Sequence, residues 1–205
     1  MNKADRGPDD FWSNIGLSEI EIYGEESDIE AAENKNHVNA AGVTAEASTT
    51  EASSLPVSNI KDGNNQTRWA SDYSEASKQT VTVTFPKVTL VKELDFDLHT
   101  RDVAPMPSNV KSFDLVYADA AGTEHTVKIS NAKSTESGKT GYVTNVQHIF
   151  ETPVYMKSFK MTNFDLQIDI EGQNGYNNIS ILEVRAYSND QSETPQGQTL
   201  DEVVA

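Results

Sequence analysis

An antiparallel β-sandwich or jelly roll is the fold this sequence predicts, and three observations predict it. From Gln79 onward apolar residues recur at every second position, the period of a half-buried strand. Turn-forming residues interrupt that period at short intervals. No long segment carries a helical stripe, and many short strands within about 150 residues close into two packed sheets.

The elements follow in order. TVTVTF (80–85) alternates cleanly, and ELDFDLHT (93–100) places Leu94, Phe96 and Leu98 on one face with Asp95 and Asp97 opposite. SFDLVYAD (112–119), TVKIS (126–130), YVTNVQHIF (142–150), SFKMTNFDLQIDI (158–170) and ISILEVRAY (179–187) continue the pattern. The expected separators are Pro86, Pro105 with Pro107, Ala121-Gly122, Gly138 with Gly141, Pro153, and the stretch from Gly172 to Gly175. Upstream, GVTAEA (42–47) is a weak strand and DIEAAEN (28–34) a short helix.

The ends differ from the middle. Residues 190–205 are polar and turn-rich, as a C-terminal linker is. EIEIYG (19–24) echoes EVRAYS (183–188), either because two edge strands look alike or because residues 1–33 hold the closing strand of a preceding module and an acidic linker. Residues 34–189 then form the main domain.

Composition narrows the function. Acids outnumber bases 32 to 16, giving a net charge of -16 and arguing against nucleic acid or an anionic membrane as partner. Cysteine is absent, which excludes disulfides, thiolate metal sites and cysteine nucleophiles. No apolar run is long enough for a membrane helix, and MNKADRGPDDFW has no signal core, so an export signal would lie outside this stretch. No GxSxG, HExxH, Walker or GxGxxG motif is present, so a non-catalytic role is expected.

One loop carries chemistry. NIKDGNNQTRW (59–69) crowds carboxylate, amide and hydroxyl oxygens into a tight turn ending on an aromatic. It is either a plain Asx turn or a loop pinned by a hard cation, which takes six to eight oxygen ligands. The sequons at Asn65 and Asn178 are incidental.

NIKDGNNQTRW, LHTR (98–101) and ISILEVRAY together resemble the discoidin-like, coagulation-factor type C domains. Within that superfamily the chain is most similar to the family 32 carbohydrate-binding modules of bacterial glycoside hydrolases, over about residues 38–189. The resemblance implies a galactose-binding-domain-like sandwich with a structural calcium ion. Its ligands would be Asp62 and Thr67, the carbonyls of Asn59 and Asn64, and Glu183 with the Leu182 carbonyl. It implies a weak site for terminal galactose or N-acetylgalactosamine on loops at one end, with host or mucin-type glycan as partner. The parent would be a larger secreted or cell-surface enzyme in which the module is monomeric.

The resemblance places Arg101 and Asn109 in the sugar site, with Tyr176 as late-loop aromatic. The histidine usual after the tryptophan is missing; Asp72 and Tyr73 stand in its place. His99, on the same side of its strand as Arg101, is either a substitute for that histidine or an ordinary sheet-surface residue. Trp69 reads as a core anchor. An adhesion or protein-interaction module and a non-binding spacer are the alternatives on the same fold.

Overall fold

The computed structural model describes residues 35–100, 109–119, 121–134, 143–170, 173–174, 177–189 and 191. The expected strand at 19–24, the helix at 28–34 and the tail lie outside the described residues, Gln191 excepted. Nine strands are described: β1 (Thr44–Ala47), β2 (Trp69–Ala70), β3 (Val81–His99), β4 (Asn109–Ala118), β5 (Glu124–Ser130), β6 (Val143–Gln167), β7 (Asp169–Ile170), β8 (Gln173–Asn174) and β9 (Ser180–Tyr187). Every described pairing is antiparallel.

Two of these strands are long because each serves both layers. The first part of β3 pairs with β1 (Thr44↔Thr84) and with the last part of β6 (Val83↔Phe159), which in turn pairs with β4 (Leu115↔Met161); β5 lies beyond β4. The second part of β3 pairs with β9 (Phe96↔Val184) and with the first part of β6 (Phe96↔Val146), and β2 closes that layer on β9 (Trp69↔Ile181). The result is a sandwich of layers β5–β4–β6–β3–β1 and β2–β9–β3–β6, hydrogen-bonded around a shared corner.

The corner corrects two of the expected separators. Pro86 and Pro153 do not end strands; each lies within one. Between the pairs Thr84↔Ser158 and Thr89↔Met156, residues Phe85–Val88 face only Lys157. Between Val91↔Val154 and Glu93↔Ile149, residues Phe150–Pro153 face only Lys92. Proline lacks the N–H that a ladder needs, so it is tolerated in such excess residues, and the two bulges bend the pair from one layer into the other.

The alternation fills the space between the layers. Val81, Val83, Leu115 and Phe159 point inward from one layer, and Leu94, Phe96, Leu98, Ile181 and Trp69 from the other, all nearly or wholly buried. Phe96 meets Phe113 of the opposite layer edge-on at 5.0 Å between centroids, a favourable aromatic geometry. The outer face of β3 is also covered: Glu93 is wholly buried, and Asp95 and Asp97 are each 7% exposed. Arg185, Asn145 and Gln147 of the flanking strands close over these acids.

Candidate functional site

β3 ends, β6 begins and β9 begins at the same end of the β2-containing layer, so several loops gather there. The first is the turn 62–67. A 3-10 turn, Val57–Lys61, delivers the chain to Asp62, and Gly63 follows at φ 74. An L side chain rarely adopts that conformation, and a Cβ on Gly63 would lie 3.0 Å from Asn39 Nδ2.

Oxygen atoms converge in this turn. Asp62 Oδ1 accepts from the Asn64 N–H at 2.8 Å, an Asx turn. Thr67 Oγ1 donates to Asp62 Oδ2 at 2.7 Å and lies 2.8 Å from the Asn64 carbonyl oxygen, which also accepts from the Thr67 N–H at 3.0 Å. The Asn64 N–H reaches Glu183 Oε1 of β9 as well, at 3.0 Å. Sequence-distant residues 64 and 183 are thereby joined.

Glu183 is the group that water would otherwise ionise freely. It is 1% exposed, and its Oε2 has no hydrogen-bond partner among the described residues. Burial, followed by the adjacent Asp62 carboxylate, pushes its pKa up to about 7, against the N–H groups of Asn64 and Gly63. Burial opposes the charge on Asp62 too, but donation from Thr67 and the Asn64 N–H outweighs it and holds that pKa below its ordinary value.

Two facing carboxylates, one with an orphaned oxygen, must share a proton or a cation. The donor set is all oxygen, as hard divalent ions prefer. Among the described residues no group of three or more His, Cys, Asp or Glu is placed to hold a metal ion, so any ion here would rest on two carboxylates with hydroxyl and carbonyl oxygens. The expected metal residues Asp62, Asn64, Thr67 and Glu183 come together, and their oxygen donors are of the kind a calcium ion takes. Asn59 holds the exit of the loop through its side chain, donating to the Arg68 carbonyl at 2.8 Å. Leu182 sits where the β9 register shifts opposite Asp97 and Leu98, immediately before Glu183.

The expected sugar residues do not form one cluster among the described residues. Asp72 and Tyr73 stand together beyond β2. Asp72 Oδ1 accepts from the Ser74 N–H at 2.9 Å, which keeps its pKa low and shapes its own turn. Tyr73 is 50% exposed, with its hydroxyl fixed on Glu51 Oε1 at 2.7 Å. Asn178 leans on the same Glu51, at 3.3 Å from Oε2. Asn109 is 2% exposed and its amide donates to the Ser134 carbonyl at 3.4 Å, so it serves the start of β4 rather than an open surface. Arg101 and Tyr176 lie outside the described residues. Trp69 is wholly buried, with its indole N–H on the Thr49 carbonyl at 3.1 Å, as a core anchor should be.

His99 belongs to a different feature. It lines a cavity of 340 Å³ with Gln66, Thr67, Arg68, Val143 and Leu182, on the outer side of the layer and against the turn 62–67. Arg68 had no assigned role, although the alternation of a strand turns it away from the core that holds Trp69. Val143, Glu51 and Leu182's place beside the cleft carried no local signal, because they come from separate segments.

Comparison with known proteins agrees with this architecture. The F5/8 type C domain profile matches residues 44–201. The family 32 carbohydrate-binding module from Clostridium perfringens NanJ, solved with galactose, is 19% identical, with a TM-score of 0.50 over 70% of this chain and 92% of that one. A variant of chitosan-binding module 1 from a Paenibacillus sp. IK-5 chitosanase/glucanase is 20% identical, with a TM-score of 0.50 over 75% and 99%. A Ruminococcus gnavus GH29 fucosidase solved with fucose is 14% identical, with a TM-score of 0.51 over 80% of this chain; the match spans 29% of that enzyme. At these identities the likeness is one of fold. No curated protein matches the chain. The fold is shared with carbohydrate-binding modules, and the chain belongs to the F5/8 type C domain family.

Proposed function

We propose that this domain is a non-catalytic carbohydrate-binding module of a larger secreted bacterial glycoside hydrolase. It binds terminal galactose or N-acetylgalactosamine-type sugars of host or mucin-type glycans weakly, on the loop end of the sandwich. The observation that carries the reading is Tyr73: a half-exposed ring whose hydroxyl is clamped by Glu51, among loops of a fold that relatives use with sugars. A rigid aromatic face covers the apolar side of a pyranose at little entropic cost. Arg101 supplies the planar fork that holds two hydroxyls at once, and Tyr176 a second ring.

Calcium is structural in this reading. Asp62, Thr67 and Glu183, with the Asn64 carbonyl, hold it, and the Asn59 and Leu182 carbonyls complete the set. A divalent charge there neutralises both carboxylates and ties the turn 62–67 to β9. Three of the described acids are committed away from glycosidase chemistry: Asp62 of the turn and Glu183 of β9 face one another, and Asp97 is paired with Arg185.

A glycan-array screen of the calcium-loaded chain tests the proposal. It predicts retention on galactose- or N-acetylgalactosamine-terminated glycans, and weaker retention after chelation as the loops loosen. Uniform blank signal across the array would hand the case to a spacer or protein-adhesion module on the same fold.

A further inference from the structure

The two most exposed large apolar side chains of the described residues, Tyr155 at 55% and Val88 at 53%, stand at the corner where β3 and β6 pass between layers. Tyr155 pairs with Leu90, and the bulge Phe85–Val88 faces only Lys157. Lys87 and Lys157 are exposed beside them, and among the described residues neither forms an ion pair. The chain also enters the domain here. Asn36 Oδ1 accepts from the Ala186 N–H at 3.1 Å, and His37 Nε2 lies 2.7 Å from Ser188 Oγ, which donates to the Leu90 carbonyl at 3.0 Å. Burial first, then the charges of Lys35 and Lys87, lower the pKa of His37, so both ammonium groups stand near one ring. Lys92 of the second bulge is occupied by the Glu151 carbonyl at 3.0 Å. The exposed acid of the corner, Glu151, offsets one of the remaining three lysines at most.

Residues 25–33, EESDIEAAE, come just before that corner in sequence and hold five acids, no base and one large apolar side chain, Ile29. We propose that the corner is the docking surface for this acidic segment, with its carboxylates over Lys35, Lys87 and Lys157 and Ile29 against Val88 and Tyr155. Reach is sufficient: at about 3.3 to 3.6 Å per residue, the stretch from Lys35 back to Asp28 spans up to about 25 Å. A single exposed ion pair contributes little, but several on a short tether act at a high effective concentration. A foreign polyanion has no tether and meets the repulsion of a chain with net charge -16.

The surface is independent of the sugar reading, since β3 and β9 run from this corner to the turn 62–67 at their other end. Docking here sets the direction from which a preceding module approaches. The test uses the full chain, which has no cysteine, so Ser27→Cys gives a single attachment point for a nitroxide spin label. In NMR spectra of the isotope-labelled protein, the label should broaden the amides of Lys87, Val88, Tyr155 and Lys157. A loose tether also brings the label near Lys35, and salt tells the two cases apart. In about 1 M NaCl the Debye length is about 3 Å, so broadening that depends on charge should be lost while broadening from the tether persists.

Lys87→Glu with Lys157→Glu reverses two exposed charges and should restore the corner amides in low salt, with amides elsewhere unmoved. Glu25→Gln, Glu26→Gln, Asp28→Asn and Glu30→Gln together should do the same without altering residues 35–189. Corner amides at full intensity in low salt would overturn the proposal. So would broadening that ignores salt and both sets of substitutions, or broadening that fades on dilution and so marks a second copy as the occupant.

Discussion

Asp95 is the acid whose neighbours serve it least. It stands between Glu93 and Asp97 on the outer face of β3, and its Oδ1 has no hydrogen-bond partner among the described residues. Glu93 accepts from Gln147 Nε2 at 3.1 Å and from the Gln191 N–H at 2.6 Å, whereas Asp97 has Arg185 and Asn145. Burial first, then the hydrogen bond and charge of Glu93, raise the Asp95 pKa to about 7; Arg185 and Gln147 oppose the shift. A raised carboxyl pKa means that the native state holds the proton more tightly than the unfolded chain does. Its contribution is full below the ordinary carboxylate value, declines as pH rises toward about 7, and is lost above it. Asp95→Asn removes the charge at nearly constant shape. It should raise Tm by a few degrees at about pH 8 and flatten the difference between about pH 5 and 8. A variant whose melting curve tracks the parent at both ends would refute this account of Asp95.

At the scale of elements, the turn 59–69 was legible because its chemistry is contiguous: Asp62, Gly63, Asn64 and Thr67 sit within a few residues and impose their own geometry. The strands were legible through their period of two, including the inward set Leu94, Phe96 and Leu98. The corner was not. A proline that ends a strand and one that rides a bulge look the same in sequence, and only the pairing of β3 with β6 tells them apart. The cleft was hidden for a related reason, since Arg68, His99, Val143 and Leu182 meet only through the closing of four strands or their flanks. Gly63 offers a test at this scale. Gly63→Ala meets both a left-handed backbone and Asn39 Nδ2 at 3.0 Å, so it should cost about 1 kcal/mol or more and weaken calcium-dependent stabilisation together. Thermal melts with and without calcium read both effects, and an unperturbed variant would show that the turn does not need its present backbone.

For the whole molecule, the turn 62–67 and β9 close the sandwich across residues far apart in sequence, and an ion held only by the native state stabilises it by mass action. Chelation should lower Tm by several degrees, and Asp62→Ala should reproduce that loss and remove further sensitivity to chelator. A Tm indifferent to both EDTA and added calcium would remove calcium from the account. The measurement that bears most directly on the central claim is a calorimetric titration of the calcium-loaded chain with galactose and N-acetylgalactosamine. The account predicts a Kd between about 10 µM and 1 mM, or roughly 4 to 7 kcal/mol, as one aromatic face and a few hydrogen bonds can supply. Tyr73→Ala should weaken that binding, and Arg101→Ala should abolish it with Tm unchanged. Heats absent for every sugar, or undiminished in both variants, would contradict it.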